Sequence, residues 1–174
     1  MYSAASEALD ELTVLVADFP QTGIVFRDLS PVFADGPAFR LVVDALLGPF
    51  AGRVDAVAGV EARGFVLAAA AAYALGTGTL LIRKAGKLPR AVLGEDYALE
   101  YGSARLELHE GELPAGSRVL ILDDVLATGG TLRAAKTLVE RAGWSVAGIG
   151  VVLELEALGG RAGLGDVHAL SRVE

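Results

Sequence analysis

Apolar positions along this chain fall into short blocks whose spacing switches between helical and strand periods. Ser3 can cap a helix over about Ala4 to Val16, and Asp18-Phe19-Pro20-Gln21-Thr22-Gly23 then breaks the chain. Gly36-Pro37 opens a second helix through about Phe50, with Phe39, Val42, Val43, Leu46 and Leu47 as its apolar stripe. Val54 to Val60 reads as a strand, Gly64 to Leu75 as a helix and Thr79 to Ile82 as a strand. Ala85 to Asp96 has neither period and reads as a loop. Tyr97 to Tyr101 and Ala104 to Leu108 read as a hairpin across Gly102-Ser103. Val119 to Leu122 is a continuous apolar run, as a strand buried on both faces requires. An amphipathic helix over Thr131 to Ala142 and a buried strand over Ser145 to Leu153 follow. Strands alternating with helices predict an α/β fold built on a mostly parallel twisted sheet flanked by helices. Ligands of such sheets bind beyond the carboxyl ends of the strands.

The length of 174 residues fits one domain with a real core. A 53% hydrophobic content carries only 6% aromatic residues and stands beside 22 glycines. A membrane span is the first reading to test. The uncharged run from Gly64 to Ile82 is long enough to cross a bilayer. Its alanine-rich middle and the Gly76-Thr77-Gly78-Thr79 punctuation instead predict a buried helix followed by a buried strand. Glu7, Asp10 and Glu11 are unlike the basic start of a signal peptide, and a cytoplasmic location is expected. The net charge of −7 argues against a nucleic-acid surface. Without cysteine there is no disulfide scaffold, thiolate zinc site or thiol nucleophile, and two histidines cannot build a multi-histidine metal site. His109 and His168 receive no catalytic role, and Trp144 reads as packing.

Chemistry concentrates in Val119-Leu120-Ile121-Leu122-Asp123-Asp124-Val125-Leu126-Ala127-Thr128-Gly129-Gly130-Thr131. An apolar strand ends in two carboxylates, and a Gly/Thr loop then opens a helix. Amides at a helix N-terminus bind phosphate, and Gly129 and Gly130 let the backbone approach it. Thr128 and Thr131 add hydroxyl donors. Adjacent carboxylates accept hydrogen bonds from a vicinal diol and favour a nearby Mg²⁺. Phosphate, diol and metal together describe a phosphorylated sugar. The plainer reading is a capped βα turn. The segment is neither a P-loop nor a GxGxxG turn.

Taken whole, the segment resembles the phosphoribosyl-diphosphate signature of the type I phosphoribosyltransferases. Further segments, in matching order from about 18 to 165, are similar to the adenine phosphoribosyltransferases. Asp18-Phe19-Pro20 through Gly23-Ile24-Val25-Phe26-Arg27-Asp28 resembles their base-binding segment, and Glu61-Ala62-Arg63-Gly64-Phe65 their pyrophosphate loop. Arg83-Lys84-Ala85-Gly86-Lys87-Leu88-Pro89 resembles the start of their flexible loop. Tyr97-Ala98-Leu99-Glu100-Tyr101-Gly102 resembles the hairpin that carries their proposed catalytic Glu. Glu154-Leu155 with Leu158-Gly159-Gly160-Arg161 resembles the segment closing the base pocket.

The resemblance implies one phosphoribosyltransferase domain over 1–174, with a small base-binding hood from about 18–35 and 153–165 and a flexible loop. It implies transfer of a phosphoribosyl group from 5-phosphoribosyl-1-diphosphate to adenine, giving AMP and pyrophosphate in purine salvage. Arg63, Lys84 and Lys87 would balance the leaving-group charge, with Mg²⁺ held mainly by the substrate near Asp123 and Asp124. Tyr101 would help close the loop. Ala127, Thr128, Gly129, Gly130 and Thr131 would hold the 5-phosphate. Val25, Phe26, Arg27 and Leu155 would meet adenine, with Phe26 as the stacking ring. Glu100 would share a proton with a ring nitrogen as N9 attacks. The family implies a homodimer.

Two rivals remain. A 6-oxopurine enzyme often carries an extra acid in the glycine-turn motif and a lysine near the base. Here Val125 and Leu126 follow the acid pair, and no lysine follows Lys136. A regulator sensing phosphoribosyl diphosphate would usually add a basic DNA-binding domain, for which the chain has neither room nor charge. Local charge suits the enzyme: residues 53–90 hold six basic side chains against two acidic ones, whereas 91–124 hold eight acidic against two basic.

Overall fold

The computed structural model of the chain describes residues 2–98 and 102–174. Backbone contacts group it into two compact units, one running through Ala45 and one from Leu46.

The first unit begins with helix α1 (Tyr2–Leu12), which stops short of the expected Val16. From Thr13 onward the β-branched run prefers extended backbone. Val14–Ala17 forms β1 and pairs antiparallel with β2 (Val25–Asp28), with Val16 opposite Phe26. The Asp18–Gly23 break is the hairpin turn between them, closed by the Gly23 amide donating to Asp18 Oδ1 at 2.7 Å. A short helix α2 (Ser30–Ala34) lies outside the sequence expectation; the Ser30 amide donates to Asp28 Oδ1 at 2.9 Å just before it. Helix α3 (Gly36–Leu47) is anchored at its start by the Ala38 amide donating to Asp35 Oδ1 at 2.8 Å. It ends three residues before Phe50, and Gly48–Phe50 tightens into a 3₁₀ turn at Pro49.

The second unit is a sheet of β3 (Ala56–Val60), β4 (Gly78–Lys84), β5 (Val92–Ala98), β6 (Ser103–His109), β7 (Arg118–Leu126), β8 (Ser145–Leu155) and β9 (Val167–Val173). The spatial order is β5-β6-β4-β3-β7-β8-β9. Pairings from β4 through β9 are parallel, whereas β6 joins β4 and β5 antiparallel. This is the predicted mostly parallel α/β sheet. Three details differ from expectation. β5 begins at Val92, inside the expected loop, because Val92 to Ala98 pair residue by residue with His109 to Ser103. β9 has no counterpart among the predicted elements. β7 runs on to Leu126, so the acid pair lies within the strand instead of after it.

Helices α4 (Arg63–Leu75) and α5 (Gly130–Arg141) pack on opposite faces of the sheet. Ala58, Val60, Ile82, Val119 and Ile121 share one buried cluster with Leu132, Ala135 and Leu138 of α5. Gly59 faces the other way: a Cβ there would sit 2.8 Å from the Ala68 Cβ of α4. Ala68 is therefore a packing requirement, since a larger residue at Gly59 or Ala68 would overpack the contact at about 1–3 kcal/mol. No described helix is long and apolar enough to cross a membrane. Trp144 is buried, with its indole N–H donating to Leu113 O at 3.2 Å, as the packing reading requires.

Arg118 ties the amino ends of β3 and β7. It donates its backbone N–H and its guanidinium to Asp55, at 2.8 to 3.0 Å. These bonds lower the Asp55 pKa from 3.8 to about 2. A carboxyl held low in the folded state contributes above its unfolded pKa and loses that contribution as pH falls toward the folded one. Asp55→Asn is expected to lower Tm at neutral pH and to remove part of the wild-type fall in Tm between about pH 4 and pH 2. Thermal melts across that range check it; parallel wild-type and variant curves would contradict it.

Candidate active site

The ladder between β3 and β7 ends at Gly59 opposite Leu122. β7 continues beside β8, so Asp123 and Asp124 emerge just past the carboxyl end of β3. There the chain leaves β3 through Glu61 and Ala62 into α4. Glu61, Arg63, Lys84, Tyr97, Asp123, Asp124 and Thr131 line a cavity of about 320 Å³. A smaller cavity of about 80 Å³ is lined by Asp123 and by Ala127 through Thr131. The two share Asp123 and Thr131. A diol-sized acidic wall thus adjoins a loop-and-helix cradle.

The cradle follows from local chemistry. Gly129 adopts a φ of 79°, open to glycine at little cost, and α5 starts at the next residue. The first amides of α5 have no intrahelical acceptor, so they and the helix dipole favour an anion in the small cavity.

Asp124 Oδ2 lies 2.6 Å from Arg63 Nε. That oxygen is shut off from solvent and accepts no well-directed hydrogen bond. Asp123 Oδ1 accepts the Asp124 amide at 2.9 Å. Desolvation among protein atoms, reinforced by the neighbouring Asp124 carboxylate, raises the Asp123 pKa well above its ordinary value. Arg63 faces Asp124, so the pair carries one nearby cation for two carboxyls, a setting suited to the hydroxyls of a diol. Among the described residues there is no group of three or more His, Cys, Asp or Glu able to hold a metal.

Glu61 is the site residue that sequence reasoning passed over, although it stood in a quoted motif. Its carboxylate accepts the Lys84 amide at 3.0 Å and Arg83 Nε at 3.3 Å, and pairs with Lys87 Nζ. The Lys87 bond is the main cause that holds its pKa below the ordinary value, against the opposing effect of burial. Arg83 Nη1 also donates to Lys87 O at 3.2 Å. One acid thus gathers the start of the expected flexible loop.

The structure brings Arg63, Lys84, Asp123, Asp124 and Thr131 into one cavity, and Ala127, Thr128, Gly129 and Gly130 into its neighbour. Lys87 lines neither; it faces a separate cleft with Arg90 and His109. Leu155 ends β8, half-buried. In the first unit, Val25, Phe26 and Arg27 lie on β2, with Val25 exposed and Phe26 edge-on to Phe19 at 5.2 Å. Glu100 and Tyr101 lie outside the described residues.

A mostly parallel sheet with an acid pair and a glycine-opened helix start at its carboxyl edge is the arrangement implied by the resemblance to the type I phosphoribosyltransferases. The family model described as "Phosphoribosyl transferase domain" matches residues 39–164. A curated adenine phosphoribosyltransferase from Clavibacter sepedonicus is 67% identical over 170 residues, covering 97% of this chain and 88% of that protein. The solved adenine phosphoribosyltransferase from Rhodothermus marinus superposes with a TM-score of 0.92 at 43% identity, covering 98% of this chain and 99% of that one. The Saccharomyces cerevisiae enzyme, solved with an imino-altritol bisphosphate and adenine, gives a TM-score of 0.92 at 37% identity, with 97% and 99% covered. This chain belongs to the adenine phosphoribosyltransferase family.

If Glu61 anchors the loop, Glu61→Ala leaves the Lys84 amide without its acceptor. Hydrogen exchange at Lys84 is expected to accelerate about tenfold, while β3 and β7 amides keep their protection. Unchanged protection at Lys84 would show that the loop is held some other way.

Proposed function

We propose that the chain transfers the 5-phosphoribosyl group of 5-phosphoribosyl-1-diphosphate to N9 of adenine, giving AMP and pyrophosphate, a purine-salvage reaction. The observation that carries this reading is the acid-lined cavity sharing Asp123 and Thr131 with the glycine cradle. Ribose hydroxyls would bond to Asp123 and Asp124, and the 5-phosphate would sit on residues 127–131. Family membership supplies the choice of adenine.

The N9–C1′ bond forms as the bond from C1′ to the diphosphate oxygen breaks, and the sugar becomes oxocarbenium-like. Arg63, Lys84 and Lys87 stabilise the charge building on the departing pyrophosphate, and Tyr101 helps enclose it. Lys87 must leave Glu61 to do so. Glu100 shares the proton of an adenine ring nitrogen as N9 attacks. The family resemblance assigns Val25, Phe26, Arg27 and Leu155 to the base.

Mg²⁺ fits the donor set. Asp123 and Asp124 are hard carboxylates beside which a substrate-held ion would sit, with Asp124 Oδ2 already facing Arg63. The ion would be held mainly by the diphosphate substrate, near Asp123 and Asp124. When bound, the ion neutralises diphosphate charge. The working form is a cytoplasmic homodimer. The outer face of α4 supports the dimer: Val66 and Tyr73 are exposed, and no charged residue lies between Arg63 and Arg83.

A base panel with phosphoribosyl diphosphate and Mg²⁺ tests the substrate choice. Adenine is expected to turn over at least about a hundredfold faster than hypoxanthine or guanine. Faster turnover of hypoxanthine would replace adenine with a 6-oxopurine.

Glu100→Ala is expected to lower kcat by about 10²–10³ with little change in phosphoribosyl-diphosphate affinity. Equal losses in both, measured by steady-state kinetics and calorimetry, would make Glu100 structural.

A further inference from the structure

Arg133 stands in the first turn of α5, outside every residue given a role above. Its guanidinium reaches three backbone carbonyls. Nη2 donates to Thr128 O at 2.8 Å, and Nη1 donates to Gly160 O at 3.2 Å and Ala162 O at 3.1 Å. Thr128 belongs to the phosphate cradle, whereas Gly160 and Ala162 belong to the turn that follows Leu155. The two segments also meet backbone to backbone. A Cβ on Gly129 would overlap Gly160 O, and one on Gly160 would overlap Ala127 O.

The other side of that turn is fixed as well. Arg161 Nε donates to Glu154 Oε1 at 2.9 Å, and its Nη1 donates to Val167 O at 2.6 Å. Glu154 is buried and directly precedes Leu155. A run of hydrogen bonds and glycine contacts therefore connects the cradle to the end of β8.

We propose that Arg133 is a positioning residue that sets the shape of the phosphate cradle and ties it to the segment bearing Leu155. This rests on the reading that residues 127–131 take the 5-phosphate and Leu155 meets the base. In a trans peptide the carbonyl and the following N–H point opposite ways. Holding Thr128 O thus fixes where the Gly129 amide points. The planar fork of arginine suits several carbonyls at once, whereas lysine offers a point charge at a single place. The role therefore depends on shape as well as charge.

Calorimetric titration of ribose 5-phosphate and of AMP into wild type, Arg133→Lys and Arg133→Ala tests this, with thermal melts alongside. Arg133→Ala is expected to weaken ribose 5-phosphate about tenfold, the equivalent of one charge-assisted hydrogen bond. It should weaken AMP by a larger factor, because cradle and base segment loosen together. Arg133→Lys should fall between, and it carries the comparison if the alanine variant does not fold. Full restoration by lysine would reduce the role to charge and overturn the clamp. Equal losses for the two ligands would overturn the tie to Leu155. A lowered Tm with affinities within twofold of wild type would make Arg133 merely structural. Failure of wild type to bind ribose 5-phosphate would overturn the cradle reading itself and the clamp with it. Equal binding by wild type and both variants would overturn only the clamp.

Discussion

The site depends on a mismatch in strand length at the centre of the sheet. β3 ends its pairing with β7 at Leu122, while β7 stays paired with β8 as far as Leu126. The backbone carrying Asp123 and Asp124 is therefore held rigidly by one neighbour and left open by the other. The gap receives the turn through Glu61 and Ala62 and the start of α4, which brings Arg63 to the acid pair. Gly64 fits there because a Cβ would lie 2.7 Å from Leu122 O and 3.1 Å from Asp123 Oδ1. Desolvation of two like charges is the cost of this placement, visible in the raised Asp123 pKa.

Much of this was legible in the residues. The central strands announced themselves as apolar runs because burial on both faces leaves no room for polar alternation. The Asp-Asp and Gly-Gly-Thr positions were legible because few side chains meet the demands of a diol and a phosphate. Within the alanine-rich stretch after Arg63, Ala68 is specific: the approach of Gly59 leaves room for no larger side chain there.

What was not legible depended on partners distant in sequence. Val14 to Ala17 fits either the end of a helix or a strand until Val25 to Asp28 is seen to pair with it. Val92 to Asp96 is strand only because β6 offers a matching edge. Glu61 received no role of its own within its motif, since nothing local shows that residues more than twenty positions later converge on its carboxylate. Nothing local marks Arg133, and its carbonyl partners in the 160–162 turn are visible only in the fold.

The pairing of Lys87 and Arg83 with Glu61, and of Arg63 with Asp124, gives ligand entry a particular character. Two of the three cations assigned to the diphosphate, Arg63 and Lys87, already have anionic partners within the protein. An arriving polyanion does not fill a bare positive basin; it exchanges places with resident carboxylates. Such an exchange releases few solution ions, so affinity should vary less steeply with ionic strength than the ligand's charge alone would imply. On the proposed reading, selectivity comes from matching diol, phosphate and diphosphate together, because only a ligand that satisfies all three repays the ion pairs it breaks.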